Sequence, residues 1–183
     1  MSHIHNVVAA YLRAKDHNQP HLMRQAFASD ARLEMIVNAG TISFPPAAQG
    51  IEAITEVLVR QFSRSYENVH TLCIGAPPAE DAPRYGCQWL VCMSEKDSRA
   101  VRVGCGRYDW VFDSAPPRLA SQLTITIEQM HSLAPEHLGP LMDWMSNLPA
   151  PWCAAHELRM GAPPIAELRA VVDYCEAAFQ VAR

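Results

Sequence analysis

The chain has no excess of basic charge and no long hydrophobic run. It carries 15 Lys and Arg against 19 Asp and Glu, a net charge of −4, and like charges do not cluster. Because nucleic-acid-binding proteins hold the phosphate backbone with a basic patch, we expect no nucleic-acid partner. No apolar stretch approaches the roughly 20 residues of a transmembrane helix, so we expect no membrane partner either.

Several motifs of catalysis and metal binding are also missing. The chain contains no CxxC, GxSxG, Walker loop or HExxH. His17 and His21 are separated by Pro20 and provide too few ligands for a metal. We therefore expect no cofactor and no metal. Four of the six cysteines lie in apolar, strand-like segments, where free cysteine acts as a small hydrophobe. Since no signal peptide is visible, we expect a reduced, cytoplasmic protein.

Apolar residues at helical spacing predict three helices ahead of the long strands. The first helix is marked by an amphipathic stripe of Ile4, Val7, Val8, Tyr11 and Leu12. A short second helix is predicted to begin at Pro20, and a third spans 51–64. A first strand is predicted over 31–37 and a short second strand over 41–44, which Pro45 and Pro46 end.

After residue 67 the apolar pattern changes to a period of two. Strands are predicted over 68–75, 85–94, 100–112 and 118–130, and their short connections favour antiparallel neighbours. Val101 and Val103 alternate with Tyr108 and Trp110, so both faces of the sheet look apolar and both must be covered. The prediction is an α+β fold, with a cupped antiparallel sheet wrapped on the N-terminal helices around an interior pocket.

The last fifty residues predict a helical extension (134–183) that follows a main domain (1–133). A first tail helix is marked by Leu138, Leu141, Met142 and Met145. A last helix, begun by Pro164, is marked by Ile165, Leu168, Val172, Cys175 and Phe179. Because amphipathic helices dock on another surface, we expect this extension to pack on the same domain or on a partner subunit. A homodimer is our expectation.

Three short segments and the order of the elements resemble the SnoaL-like branch of the nuclear transport factor two-like superfamily. The segments are 27–34, 49–54 and 106–109, and the resemblance covers about residues 4–131. It implies a cone of curved antiparallel sheet with a pocket for a small apolar or oxygenated molecule, and frequent dimers. Members include isomerases, dehydratases, cyclases, epoxide hydrolases and non-enzymes, so these segments identify the fold better than the activity.

The resemblance assigns possible roles to single residues. Tyr11 matches the tyrosine that ketosteroid-isomerase-like members use to stabilise an oxyanion, although it also suits a helix core. His70 lies on the strand where scytalone-dehydratase-like members carry a catalytic histidine, or it is a hydrogen-bonded structural residue. The isomerase base corresponds to Met35, which cannot accept a proton, and Glu34 beside it points to the other face of the strand.

Arg107 and Asp109 share one face of a predicted strand, close enough for their side chains to meet. Their spacing resembles the arginine–aspartate pair of limonene-epoxide-hydrolase-like members, although the next strand offers Glu128 rather than an aspartate. The alternative is a structural ion pair. Two hypotheses result. One is a cofactor-free isomerase, dehydratase, cyclase or epoxide hydrolase that uses Asp109, Arg107, His70 and Tyr11. The other is a non-catalytic ligand-binding or dimeric assembly module.

Overall fold

A computed structural model describes residues 4–181, with side chains through residue 177, so the side chain of Phe179 lies outside the described part. The helices are α1 (Ile4–Asp16), α2 (Ile51–Thr55), α3 (Phe62–Ser65), α4 (Leu138–Ser146) and α5 (Ala166–Val181). A π-helical segment, Glu56–Gln61, joins α2 to α3 into one continuous rod, as predicted for 51–64. Short 3-10 helices span Pro20–Gln25, Pro135–His137 and Ala155–Arg159.

Seven strands form one mixed sheet in the order β2-β1-β6-β5-β4-β3-β7. They are β1 (Phe27–Val37), β2 (Ala47–Gln49), β3 (Tyr66–Ile74), β4 (Arg84–Glu95), β5 (Val101–Phe112), β6 (Ala120–Leu133) and β7 (Trp152–Cys153). The four long strands predicted from the period of two pair antiparallel as β3, β4, β5 and β6. In addition, β1 pairs parallel with β6, and β7 pairs parallel with β3. The predicted α+β fold with a curved sheet is confirmed.

The predicted strand over 41–44 is wrong. Residues 38–46 form an irregular loop, and β2 begins only after Pro46, where it pairs Ala48 with Leu33. Proline lacks the amide hydrogen that pairing between strands needs. Pro45 and Pro46 can therefore accept a backbone hydrogen bond but cannot donate one. The Met35 amide donates to the Pro46 carbonyl at 2.9 Å. The apolar residues of this loop therefore turn toward the interior of the cone instead of joining the sheet.

One hydrophobic core fills the concave face of the sheet. There α1 packs its apolar stripe on β5, with the rings of Tyr11 and Trp110 edge-to-face at 5.3 Å. Gly106 makes this packing possible, because a β-carbon at that position would overlap the Thr126 carbonyl and lie 2.8 Å from the Trp89 ring. The concave face is thus packed by large aromatic side chains over a strand that carries glycine.

A second core covers the convex face, and the chain's own C-terminal segment supplies more than half of its buried residues. Trp144 of α4 and Leu168 of α5 are buried in one cluster with Leu90 and Cys105 of the sheet. This segment also adds β7 to the edge, where the Cys73 amide donates to the Pro151 carbonyl at 2.7 Å. The chain's own tail therefore covers the convex face. The division into 1–133 and 134–183 and the homodimer stay predictions.

None of the helices within residues 4–181 combines the length and the apolar character that a membrane crossing requires.

Candidate ligand site in the cone

A cavity of about 50 Å³ lies between α1, the α2–α3 rod and the concave face of the sheet. Its apolar lining consists of Met35, Ile42, Phe44, Leu58, Phe62, Trp89, Val91, Met93, Ile125, Ile127 and Met130. Its polar lining consists of Tyr11, Lys15, Thr71 and Tyr108. Ligand pockets usually measure about 300–1,000 Å³, so the lining side chains fill most of this cone.

A buried ion pair forms one part of the polar lining. The Lys15 ammonium contacts Asp16 Oδ1 at 2.5 Å, and both side chains are 8% exposed. Thr71 on β3 holds the pair in place: its hydroxyl accepts from Lys15 Nζ at 2.8 Å and donates to Asp16 Oδ1 at 2.9 Å. Its amide donates to Asp16 Oδ2 at 2.8 Å. Buried charges are stable only when paired and hydrogen-bonded, and this pair meets both conditions.

Two tyrosine hydroxyls form the rest of the polar lining. The rings of Tyr11 and Tyr108 lie edge-to-face at 5.8 Å, and their hydroxyls are hydrogen-bonded to each other. Burial raises the pKa of Tyr11 and of Tyr108 well above the ordinary value for tyrosine. Both hydroxyls are therefore protonated at neutral pH. Because their mutual hydrogen bond uses one of the two protons, the pair offers one donor to a ligand oxygen, and neither hydroxyl is suited to act as a base.

A loop and three methionines line another side of the cavity. Ile42 and Phe44 come from the loop over 38–46, which Thr41 fastens to β6 through a 2.6 Å hydrogen bond to the Met130 carbonyl. Met35, Met93 and Met130 are unbranched side chains that adapt to irregular spaces. Enlargement of the cavity would involve these side chains and this loop rather than the sheet.

Of the four predicted site residues, only Tyr11 lines this cavity. His70 pairs with Cys92, which belongs to the convex core, and its neighbour Thr71 faces the cavity instead. A bulge in β3 between Glu67 and His70 interrupts the pairing just before this point. His70 is half-buried, and burial lowers its pKa, an effect that the nearby Asp16 carboxylate opposes in part and that His17 reinforces slightly.

Arg107 and Asp109 lie on the convex face, away from the cavity. They form a salt bridge of 2.9 Å, with side chains 43% and 46% exposed. Gly86, opposite Asp109 on β4, leaves room for the Arg107 guanidinium, which a β-carbon there would overlap. Arg107 and Asp109 therefore form an ion pair on the surface, whereas Tyr11 lies at the cavity. Their catalytic role stays a prediction.

The position that corresponds to the isomerase base also faces the cavity. Met35 lines it, whereas Glu34 points outward and pairs with Arg32 at 3.0 Å. The cone therefore holds a thioether where a carboxylate would act.

Comparison with solved structures identifies the architecture. A nuclear transport factor 2-like superfamily protein from Salmonella enterica serovar Typhimurium matches with a TM-score of 0.54 at 16% identity, over 72% of this chain and 89% of its own. A hexachlorocyclohexane dehydrochlorinase matches with a TM-score of 0.55 at 12% identity, over 70% and 84%. A ketosteroid isomerase-like protein from Erwinia carotovora atroseptica matches with a TM-score of 0.52 at 11% identity, over 69% and 94%.

The chain has the nuclear transport factor 2-like fold. No protein-family model and no curated protein sequence matches it. At these identities the likeness concerns the fold alone. The share of this chain that these three neighbours leave uncovered is similar in length to the segment after β6.

Reasoning from the sequence missed Lys15, Asp16 and Thr71. One signal was available for Lys15, because it continues the apolar stripe of α1 four residues after Tyr11. A lysine at a core-facing position of a helix needs a buried partner. Asp16 and Thr71 lie 55 residues apart in sequence, so only the fold brings them together.

Within residues 4–181, no three side chains of His, Cys, Asp or Glu converge as metal ligands. A groove of about 560 Å³ runs outside the cone between α1 and the turn before β6, with Arg13, Arg24 and Leu119 in its lining. It is open and lacks the apolar enclosure of the cone, so an experiment on ligand binding must tell the two apart.

Proposed function

We propose that this protein binds a small, largely apolar molecule that carries an oxygen, inside the cone. The observation that supports the proposal is the lining itself: eleven apolar side chains face a polar group made of Tyr11, Lys15, Thr71 and Tyr108. An apolar enclosure with few polar groups is the usual form of a small-molecule site, since burial supplies affinity and the polar groups supply orientation.

Burial of the ligand's apolar surface would drive binding. Burying about 200 Å² of a small ring compound contributes roughly 5 kcal/mol at 25 cal/mol per Å². Loss of translational and rotational freedom and the enlargement of the cavity oppose this gain. The flexible methionines and the loop over 38–46 keep the cost of enlargement low, because no strand must move.

The enzymatic form of the proposal is cofactor-free acid–base chemistry on the bound molecule, such as isomerisation, dehydration, cyclisation or epoxide opening. The fold supports a small-molecule site by analogy only: one neighbour is named for hexachlorocyclohexane, a small apolar compound. In the cone, Tyr11 would donate a hydrogen bond to the substrate oxygen, and Tyr108 is its hydrogen-bonded neighbour. Asp109, Arg107 and His70, which sequence reasoning assigned to catalysis, lie outside the cavity lining.

One observation favours a second candidate, a non-catalytic assembly module. The cavity of about 50 Å³ is small for a substrate, and the lining packs well without one. In that case the cone is a hydrophobic core, and the function lies in the outer surface, including dimer formation.

We also propose a reduced, cytoplasmic location. All six cysteines are free and buried, as expected where disulfides do not form.

Binding of cyclopentanone, followed by isothermal titration calorimetry, tests the main proposal. Ile127→Phe places a larger side chain in the cavity and should weaken binding at least tenfold. Ile36→Phe adds the same ring at an exposed site on β1 and should leave binding unchanged. Equal binding by both variants, or no binding by the unmodified chain to cyclopentanone and to related ring alcohols and epoxides, would favour the assembly module.

A further inference from the structure

Lys15 is a buried cation with unused hydrogen-bonding capacity. An ammonium has three N–H donors, and Lys15 Nζ directs two of them to Asp16 Oδ1 and Thr71 Oγ1. Within residues 4–181 it has no third oxygen acceptor, and it lies 5.2 Å from the centre of the Phe62 ring. Lys15 and Phe62 both line the cavity. A molecule in the cone would therefore meet a donor that the protein leaves available.

The charge of this group also restricts what it accepts. Lys15 and Asp16 form a neutral pair, and both are almost completely shielded from water. A carboxylate beside them would leave one net negative charge buried among apolar side chains, which is costly. A neutral carbonyl oxygen accepts the same hydrogen bond and adds no charge.

We infer that Lys15 donates a hydrogen bond to the oxygen of a neutral carbonyl compound and that carboxylic acids are excluded. The carbonyl compound is a ketone, an aldehyde or a lactone. This inference rests on the proposed ligand site. Lys15 contacts the ligand directly in this proposal. Asp16 and Thr71 are positioning residues, because they hold the ammonium against the cavity wall through the hydrogen bonds described above. Tyr11, one helical turn before Lys15, provides a second donor to the same oxygen.

The composition of the chain makes this inference easy to test. Lys15 and Lys96 are its two lysines, and Lys96 is exposed in the turn after β4. Selective labelling with ¹⁵Nζ-lysine therefore gives one resonance for the cavity and one for solvent. Three probes of similar shape are titrated into the unmodified protein: cyclopentanone, methylenecyclopentane, which lacks the oxygen, and cyclopentanecarboxylate, which is charged.

We expect cyclopentanone to move the Lys15 resonance and to leave that of Lys96 in place. It should bind about tenfold more tightly than methylenecyclopentane, the usual effect of one hydrogen bond to a charged donor, and cyclopentanecarboxylate should not bind in the cone. Lys15→Met combined with Asp16→Asn, which leaves no unpaired charge, should bind the two neutral probes equally. Lys96→Met is the matched control and should keep the preference.

Two results overturn the inference. If cyclopentanone and methylenecyclopentane bind the cone equally and the Lys15 resonance does not move, Lys15 is structural while the ligand site stands. If cyclopentanecarboxylate binds the cone as tightly as the ketone, the charge argument is wrong. Absence of binding by all three probes removes the ligand site itself, and the inference with it, so the two failures are distinguishable.

Discussion

Lys15 on the last turn of α1 and Thr71 on β3 are joined by a 2.8 Å hydrogen bond at the wall of the cavity. The same threonine binds Asp16 through both its hydroxyl and its amide. One side chain of the sheet thus fixes the end of the first helix and satisfies two buried charges. The cavity wall and the packing of α1 on the sheet depend on the same contact.

Thr71→Val should therefore destabilise the protein. The substitution keeps the shape but removes the hydroxyl that serves Lys15 and Asp16, so we expect the free energy of unfolding to fall by about 1–3 kcal/mol. Urea denaturation measures the change. Thr71→Ser keeps the hydroxyl and should recover most of the stability. A valine variant as stable as the original chain would show that the buried pair does not need this partner.

The C-terminal segment should contribute a large part of the stability. Trp144 is 4% exposed and packs in the convex core, so Trp144→Ala should lower the free energy of unfolding by roughly 3–5 kcal/mol. Met160, which is 68% exposed, is the control, and Met160→Ala should change it by no more than about 0.5 kcal/mol. If Trp144→Ala were as mild as the control, the tail would be a loosely attached appendage.

Removal of residues 134–183 tests the proposed domain division. It would expose Leu72, Leu90, Cys92 and Val103 on the convex face. Sedimentation equilibrium should then show self-association of the shortened chain, because an apolar face of this kind is not stable in water. A monomeric, folded product would mean that 1–133 needs no cover on this face.

Stability should depend on pH through His70. Because burial lowers its pKa below the ordinary 6.5, the unfolded chain binds more protons than the folded chain between that lowered pKa and 6.5. The free energy of unfolding should therefore be highest above pH 6.5 and fall as the pH decreases through this window. His70→Gln should flatten this decrease, and His156→Gln, at an exposed site, should not. Parallel curves for both variants would assign the pH dependence elsewhere.

Asp109→Asn tests the role that sequence reasoning gave to the Arg107–Asp109 pair. Because the pair is half-exposed, its loss should change the free energy of unfolding by less than about 1 kcal/mol. Cyclopentanone binding, measured by calorimetry, should stay the same, since neither side chain lines the cavity. Loss of binding in this variant would restore the pair to the functional site.

Local patterns predicted the long strands well. The strand predicted over 85–94 is Arg84–Glu95, and the one over 100–112 is Val101–Phe112, because alternating side chains define a strand wherever both faces are buried. Pairing was harder: neither β7 nor the parallel contact of β1 with β6 follows from local spacing. Both contacts join strands that are far apart in sequence, so they depend on the path of the chain through the whole fold.

The site was predictable only in part, for a physical reason. Strand alternation correctly grouped Arg107 and Asp109 with Val101 and Cys105 on one face. It did not reveal which face was concave, because a sheet covered on both sides is apolar on both. Tyr11 was accessible to sequence reasoning through its helix stripe. The partnership of Asp16 with Thr71 was not, since it requires the closed fold.

Methyl NMR of methionine in the presence of cyclopentanone tests the central claim, a ligand site in the cone, most directly. Met35, Met93 and Met130 line the cavity, and exposed Met160 serves as an internal reference. We predict that the three cavity methyl resonances shift together and saturate with one affinity, while that of Met160 stays in place. Unmoved cavity resonances at saturating ketone, or shifts confined to residues around the outer groove, would contradict a ligand site in the cone.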